Sequence, residues 1–188
     1  MTVGGVLLAA GESNRYGTEN KLLADLDGTP IVRHAAETLV AADLEPIVVV
    51  LGADATRVRG AIDELPVHVV ENPAYANGQS TSVATGVAAI ADHVDAFVIA
   101  LGDMPWIKAE TVATLVDAYV AGAGNALAAA YEGERGNPVL FDATYADDLQ
   151  NLDGDVGGRE ILLEQGTLVE TGDPAVRRDV DRPADLPE

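Results

Sequence analysis

The sequence predicts one α/β domain in three layers, with helices on both faces of a mostly parallel β-sheet. Apolar runs of strand length alternate with amphipathic helical segments along the chain, which is typical of such a sheet. A length of 188 residues with 48% hydrophobic residues suffices for one sizeable core but not for two independent domains. No linker or internal repeat divides the chain, so we expect a single domain over residues 1–188.

The first half of the chain predicts three strands and three helices in alternation. Val3 to Ala10 is a continuous apolar run, as expected for a strand buried on both faces. Thr29 is expected to cap the first helix, with Pro30 at its first helical position. Ser80 or Ser82 is expected to cap a helix after the turn-rich segment ENPAYANGQSTS. Between these helices the sequence predicts a strand at IVVVLG, a helix from Asp54 to Ile62 and a strand from Val67 to Val70.

The second half predicts further strands at DAFVIALG, NALAAAY and NPVLF. A helix with one apolar face is expected around Val112 to Val120. From Asp142 onward we expect a short helix, the turn LDGDVGG, a helix through Ile161 to Leu163 and a last strand near Leu168 to Glu170. Rossmann-like sheets of this kind bind ligands at the carboxyl ends of their strands, so the chemistry is expected there.

The composition excludes several classes of protein. With 31 acidic and 11 basic residues, the formal charge of −20 and the lack of a basic patch argue against a nucleic-acid partner. The acidic residues are scattered, which indicates a solvated acidic shell and predicts a halophilic protein. No apolar run approaches the roughly 18 residues of a membrane span, and no signal peptide is recognised, so we expect a cytoplasmic protein. Without cysteine, a metal ion must bind to oxygen or imidazole.

A glycine-bearing loop, LAAGESNRYGTENK, lies between the first strand and the first helix. Gly11 and Gly17 permit backbone turns, while Ser13, Arg15 and Lys21 offer donors to phosphate oxygens. The loop has neither the Gly-Lys-Ser/Thr of a Walker motif nor a Gly-x-Gly-x-x-Gly fingerprint. From these residues alone, an anion cradle and a flexible polar loop are equal alternatives.

The segment LLAAGESNRYGTENKLL resembles the signature of the MobA-like NTP transferases, Leu-x-Ala-Gly-x-Ser-x-Arg-Met-Gly-x-x-Lys. The resemblance continues through GTPIVRHAAETL, NPAYANGQSTSVATG, VIALGDMPW, GNPVLF and GDVGGREIL and looks closest to molybdenum cofactor cytidylyltransferases. Tyr16 stands where the family usually has Met, and Asn20 where it often has Pro. The resemblance implies a fold of the nucleotide-diphospho-sugar transferase type and nucleotidyl transfer from an NTP with release of pyrophosphate.

The same resemblance implies which residues bind the nucleotide and which are catalytic. Arg15 and Lys21 would hold the triphosphate, although Arg15 could also be a plain surface charge. The loop before the third helix would contact the nucleotide, although a capped helix explains its composition equally well. The implied nucleotide-binding set is Leu8, Ala9, Ala10, Gly11, Ser13, Arg15, Lys21, Gly78 and Ser80, and the implied catalytic set is Arg15, Lys21 and Asp103.

Asp103 directly follows a predicted buried strand, where its carboxylate would be a hard oxygen ligand for Mg²⁺. The resemblance places the family's metal aspartate at this position, whereas the residues alone leave an N-cap for a helix after Pro105 as an equal alternative. The turn GDVGGR, with Asp155 and Arg159, resembles the family's motif near the second substrate, although it could be purely structural. Asp181, in DVDRP, could approach the metal ion.

The base and the acceptor are inferred from the resemblance and from Ala10. Guanylyl-transferring members resemble Leu-Ala-Gly-Gly, so the methyl group of Ala10 is expected to oppose a purine and favour CTP. The expected acceptor is a phosphorylated small molecule, with molybdopterin as the first candidate; a molybdoenzyme or chaperone partner is left undefined. A sugar-phosphate or methylerythritol-phosphate nucleotidyltransferase and a non-catalytic nucleotide-binding module stay open, and a dehydrogenase is disfavoured by the missing glycine fingerprint.

Overall fold

A computed structural model describes residues 1–13, 16–17, 19–152 and 158–187 of the chain. The strands are β1 Val3–Ala9, β2 Asp25–Leu26, β3 Thr29–Pro30, β4 Ile47–Leu51, β5 His68–Glu71, β6 Ala96–Leu101, β7 Ala126–Tyr131, β8 Glu134–Asp142 and β9 Thr167–Glu170. The α-helices are α1 Ile31–Ala41, α2 Ala55–Ala61, α3 Gln79–Ile90, α4 Ala109–Val120, α5 Ala146–Gln150 and α6 Arg159–Gln165. None of the helices described is long and apolar enough to cross a membrane.

Seven strands form one sheet in the order β5-β4-β1-β6-β8-β7-β9, and β2 and β3 form a separate short hairpin. Within the described part of the sheet only β8 runs antiparallel to its neighbours. The mostly parallel α/β fold is therefore confirmed. Strand β1 lies at the centre, where Leu8 aligns with Val50 of β4 and Leu101 of β6. The carboxyl ends of these three strands consequently meet at one edge.

Two apolar clusters cover the two faces of the sheet and give the predicted three layers. Alternating side chains of a strand point to opposite faces, so Leu7 joins the cluster under α1 and α4 while Val6 joins the one under α3. Helix α3 lies very close to the sheet at Gly86, where an added Cβ would lie 2.9 Å from Val50 Cγ2 and closer still to Val6. This close approach fixes the position of the amino-terminal end of α3 at the edge where β1 and β4 end.

Two predicted helix caps were wrong. Thr29 pairs with Leu26 in the short hairpin, and Pro30 rather than Thr29 is the N-cap of α1. Gly78 is the N-cap of α3, with a φ of 116° that side chains rarely adopt, while Ser80 and Ser82 lie buried inside the helix. In both places the backbone conformation before the helix, rather than a capping hydroxyl, decides where the helix begins.

Candidate active site

An open cavity of about 440 Å³ lies at the carboxyl ends of β1 and β6, beside the amino-terminal end of α3. It is the place where a mostly parallel sheet binds its ligand. Its walls combine main chain from the first loop with polar side chains from four separate parts of the sequence. The lining residues are Leu8, Ala10, Gly11, Glu12, Ser13, Lys21, Leu22, Tyr75, Ala76, Gly78, Gln79, Ser82, Leu101, Asp103 and Asp181.

Lys21 lies between two carboxylates in this cavity. Its Nζ donates to Asp103 Oδ2 at 2.6 Å and to Asp181 Oδ1 at 3.1 Å, and 15% of the lysine side chain is exposed. Burial alone would lower the pKa of Lys21, but the two carboxylates outweigh it and the pKa is raised above its ordinary value. The ammonium group is therefore charged at neutral pH.

The side chain of Asn20 holds Lys21 in place. Its Oδ1 accepts hydrogen bonds from Leu22 N at 3.0 Å and from Ser13 Oγ at 3.1 Å, and its Nδ2 donates to Ala53 O at 3.4 Å. Lys21 N in turn donates to Ser13 Oγ at 3.1 Å. These bonds join the first loop to the turn after β4 and cap the short 3₁₀ helix Lys21–Leu23. Ser13, expected to bind phosphate, here organises the loop that carries Lys21.

Asp103 lies just past the end of β6 with one oxygen unsatisfied. Its main chain is fixed because Val180 N donates to Asp103 O at 2.9 Å, and Gly102 N donates to Leu8 O at 2.9 Å. Its Oδ1 is buried and has no hydrogen-bond partner among the residues that the structure describes. Burial, helped by the neighbouring Asp179 carboxylate, raises the pKa of Asp103 above its ordinary value, although Lys21 opposes this rise. A buried, unsatisfied carboxylate oxygen costs stability, and a bound cation would relieve that cost.

The alternative role of Asp103 as a helix cap is excluded. Helix α4 begins at Ala109, and its N-cap is Lys108. Asp103 lies well before that helix and turns into the cavity instead. Of the two roles that the sequence left open, the helix cap is thus removed, and metal binding by Asp103 stays a prediction.

Asp103 belongs to a cluster of three carboxylates with Asp179 and Asp181, whose oxygens lie within 4.8 Å of one another. Val180 is fully buried beside Leu26 and Ile31, so the two aspartates that flank it in the chain share the other side of the segment. Several carboxylate oxygens at this spacing are the ligands that a hard divalent cation prefers. The donor set and the unsatisfied Asp103 oxygen both fit such an ion.

The structure brings together most, but not all, of the residues implied for nucleotide binding. Ala9 does not line the cavity, because alternation along β1 turns it into the opposite apolar cluster. Ser80 does not line it either, whereas Ser82, two residues further along α3, does. Arg15 and Asp155 lie outside the described residues. The expected residues that do line it are Leu8, Ala10, Gly11, Ser13, Lys21, Gly78 and Asp103.

Arg159, expected near the second substrate, is an exposed residue at the start of α6. It lines none of the cavities that the described residues form near the acidic cluster. Sequence reasoning also missed Asp179, although the alternation of acidic and apolar residues in DVD was a signal for it. It missed Tyr75 as well, for which the sequence holds no comparable signal.

The fold and the site are those of a nucleotidyltransferase: a glycine-bearing loop, a charged lysine and a carboxylate cluster meet at the carboxyl edge of a mostly parallel sheet. Residues 5–169 match the family model described as the MobA-like NTP transferase domain, and the chain belongs to this family. The expected family and enzyme class are thereby confirmed.

Individual relatives cover nearly the whole chain. Nicotine blue oxidoreductase from Paenarthrobacter nicotinovorans is 32% identical over 190 residues, which cover 95% of this chain and 92% of that protein. The crystal structure of Rv0371c from Mycobacterium tuberculosis is 27% identical with a TM-score of 0.81, covering 98% of this chain and 95% of that one. A structure of the same protein in complex with manganese is 25% identical with a TM-score of 0.78, covering 98% of this chain and 96% of that one.

Proposed function

We propose that the protein transfers a nucleoside monophosphate, preferably from CTP, to a phosphorylated small-molecule acceptor, with molybdopterin as the first candidate, and releases pyrophosphate. The observation that carries the proposal is Lys21, which is charged and held between Asp103 and Asp181 at the floor of the cavity. An ammonium group so placed is suited to neutralise a triphosphate. The lining backbone of Gly11 and Gly78 lets a nucleotide approach closely.

The residues of the chain supply positioning and charge, and no general base is needed. An acceptor phosphate is already ionised near neutral pH, so its oxygen attacks the α-phosphorus directly. A bond forms from that oxygen to the α-phosphorus, and the bond to the bridging oxygen breaks as pyrophosphate leaves with the electron pair. Lys21, together with Arg15 of the same loop, offsets the charge on the transferred group and on pyrophosphate.

Mg²⁺ is the proposed cofactor. Asp103 would hold it with Asp179 and Asp181, and the unsatisfied Asp103 oxygen supports this assignment. When bound, a divalent ion supplies a Lewis acid that neutralises phosphate oxygens. The manganese complex of Rv0371c supports a divalent ion at this fold.

The proposal is tested by a pyrophosphate-release screen. CTP, GTP, UTP and ATP are each incubated with phosphorylated acceptors that include molybdopterin, a sugar phosphate and methylerythritol phosphate, with Mg²⁺ or with a chelator. The expected result is release that requires Mg²⁺ and molybdopterin and is fastest with CTP. Release with a different acceptor would reassign the substrate within the same fold. No release from any pair would contradict the assigned reaction.

The preference for CTP is a prediction about Ala10, which lines the cavity. Its methyl group opposes the second ring of a purine, and discrimination of this kind is worth about 1–3 kcal/mol. Wild type should therefore show a higher kcat/KM for CTP than for GTP, and Ala10→Gly should narrow the ratio. Equal kcat/KM values for CTP and GTP in wild type would contradict the preference for CTP but not the transfer of a nucleotidyl group.

A redox function is the second candidate, because a relative that matches 95% of this chain is named nicotine blue oxidoreductase. The screen therefore includes a parallel measurement of NADH and NADPH absorbance with a quinone-type dye as acceptor. Oxidation of the nicotinamide without pyrophosphate release would favour this second candidate.

Asp155 and Arg159 stay proposed contacts of the second substrate, and the cytoplasm stays the proposed location.

A further inference from the structure

A second cavity, of about 250 Å³, lies on the other side of the acidic cluster. Asp103 and Asp181 line the first cavity, Asp179 lines the second, and Leu101 at the end of β6 lines both. The three carboxylates thus separate two neighbouring spaces. The second cavity is lined by Leu101, Met104, Arg135, Gly136, Asn137, Val176, Arg177 and Asp179.

The second cavity is basic in a strongly acidic protein. Two arginines and one aspartate line it, whereas the described lining of the first cavity contains Lys21 against three acidic side chains. The chain as a whole carries 11 basic against 31 acidic residues. The lining of the second cavity is therefore locally basic, and guanidinium groups are well suited to bind phosphate.

Main-chain packing brings together the two segments that carry these arginines. An added Cβ at Gly136 would overlap with the carbonyl oxygen of Val176, so β8 passes directly against the 3₁₀ helix Pro174–Arg177. Arg135 precedes this glycine and Arg177 follows this valine. Glu134 lies near Arg177, with its Oε2 3.6 Å from Arg177 Nη2 and 66% of its side chain exposed. An exposed pair at that distance binds weakly and leaves the guanidinium available to another anion.

We propose that the second cavity binds the phosphate monoester of the acceptor between Arg135 and Arg177. The inference rests on the proposed function, in which the nucleotide occupies the first cavity. The acceptor oxygen then approaches the α-phosphorus across the acidic cluster that separates the two spaces. Asn137 offers an amide to the same anion, and Met104 and Leu101 offer apolar contact to the rest of the acceptor.

Methyl NMR tests the site without any turnover, because the chain contains only two methionines, Met1 and Met104. Met104 lines the second cavity, whereas Met1 lies by Asp95 and reports on a remote surface. The protein labelled at the methionine methyl groups is titrated with inorganic phosphate at constant ionic strength. Wild type should show a saturable shift of the Met104 signal with an unmoved Met1 signal.

Two variants decide whether the arginines cause that shift. Arg135→Gln with Arg177→Gln should weaken phosphate binding at least roughly tenfold, since each charge-assisted hydrogen bond lost is worth over 1 kcal/mol. Arg59→Gln is the matched control, because Arg59 is 51% exposed and pairs with Glu71 much as Arg177, 49% exposed, pairs with Glu134. The control should behave as wild type. A silent Met104 signal in wild type, or an equal shift in the double variant, would overturn the site.

Kinetics then separate the failure of this site from the failure of the proposed reaction. With an acceptor that supports pyrophosphate release, the double variant should raise the acceptor KM roughly tenfold and leave the KM for CTP unchanged. An unchanged acceptor KM would overturn the site while the reaction stands. If no acceptor supports release, the reaction is wrong, and the phosphate titration alone decides whether the second cavity binds free phosphate.

Discussion

Lys21 and Asp103 are the residues on which the proposed reaction depends most directly. The lysine ammonium is 2.6 Å from the aspartate, and both side chains are mostly buried at the floor of the cavity. Neither belongs to the apolar clusters that hold the sheet together. Their removal should therefore affect turnover far more than folding.

We expect Lys21→Ala and Asp103→Ala each to lower kcat/KM about 100-fold or more, because charge stabilisation at the reacting phosphate is lost. Pyrophosphate release gives the rates, and far-UV circular dichroism should stay unchanged. Lys108→Ala is the matched control, since Lys108 is the other lysine of the chain and is exposed at the start of α4. Near-full activity of either site variant would remove that residue from the mechanism.

At the residue scale, the sequence predicted the charged groups but not how they are held. Lys21 and Asp103 were identifiable through the resemblance to the MobA-like signature, because the residues alone left other roles open. The hydrogen bonds of the Asn20 side chain were not identifiable, because they join Ser13, Leu22 and Ala53, and Ala53 belongs to a different loop. Contacts between loops depend on the tertiary fold, for which local patterns carry no information.

Among the helices, α3 most directly connects the packed sheet to the candidate site. Gly86 of α3 faces Val6 and Val50, while the same helix begins beside Gly78 at the cavity. The amphipathic pattern predicted that this helix exists. The distance between α3 and the sheet depends on the absence of a side chain at Gly86. The amphipathic pattern of the helix does not predict that distance.

Gly86→Ala should destabilise the protein by about 1–3 kcal/mol, because the added methyl group has no space beneath it. It should also raise the KM for the nucleotide as the start of α3 is displaced. Gly60→Ala in α2 is the matched control, since nothing lies within 4 Å of its added Cβ. That variant should be neutral or stabilising by up to about 1 kcal/mol, as alanine favours a helix. Urea unfolding measures both; equal effects would contradict the packing argument.

Tyr119 ties α4 to the end of β8 by donating a hydrogen bond to Asp142 Oδ2 at 2.5 Å. Burial and this bond raise the pKa of Tyr119 from 10.0 to about 12. Burial opposes ionisation of Asp142, but hydrogen bonds from Thr144 and Tyr119 outweigh it and lower the pKa of Asp142 below 3.8. The hydrogen bond between Tyr119 and Asp142 is thus fully formed at any pH between the pKa of Asp142 and the pKa of Tyr119.

Tyr119→Phe should cost about 1.5–3 kcal/mol at pH 7, as expected for a hydrogen bond to a charged group. The difference from wild type should shrink as the pH falls below 3.8, because the depressed pKa of Asp142 stabilises the fold only while the carboxylate is ionised. It should also shrink as the pH rises from 10.0 through about 12, where the tyrosine loses its proton. Denaturant unfolding at several pH values measures this, and a pH-independent difference would contradict it.

At the scale of the whole molecule, the two main features are the net charge and the order and direction of the strands in the sheet. The alternation of strands and helices predicted a mostly parallel sheet, and that prediction is confirmed. It did not predict that β8 runs antiparallel, because the strand direction depends on the short turn from β7 rather than on any apolar pattern. The tail after β9, which supplies two of the three clustered carboxylates, was likewise not predictable from periodicity.

A net charge of −20 on 19.4 kDa should make the fold repel itself at low salt. We therefore expect the melting temperature to rise between dilute buffer and molar KCl. Potassium chloride is used rather than sulfate, because sulfate also strengthens the burial of apolar surface. A flat or falling melting temperature would contradict adaptation to salt.

The bond between Lys21 and Asp181 joins positions that are 160 residues apart in the sequence. A contact between such distant positions forms only after a long loop has been closed, which is slow and comes late in folding. During synthesis the ribosome therefore releases the lysine, the glycine loop and the central strands well before the last carboxylates exist. On the proposed function, a chain truncated before Asp179 should therefore be unable to consume nucleotide, because it lacks two of the three clustered carboxylates.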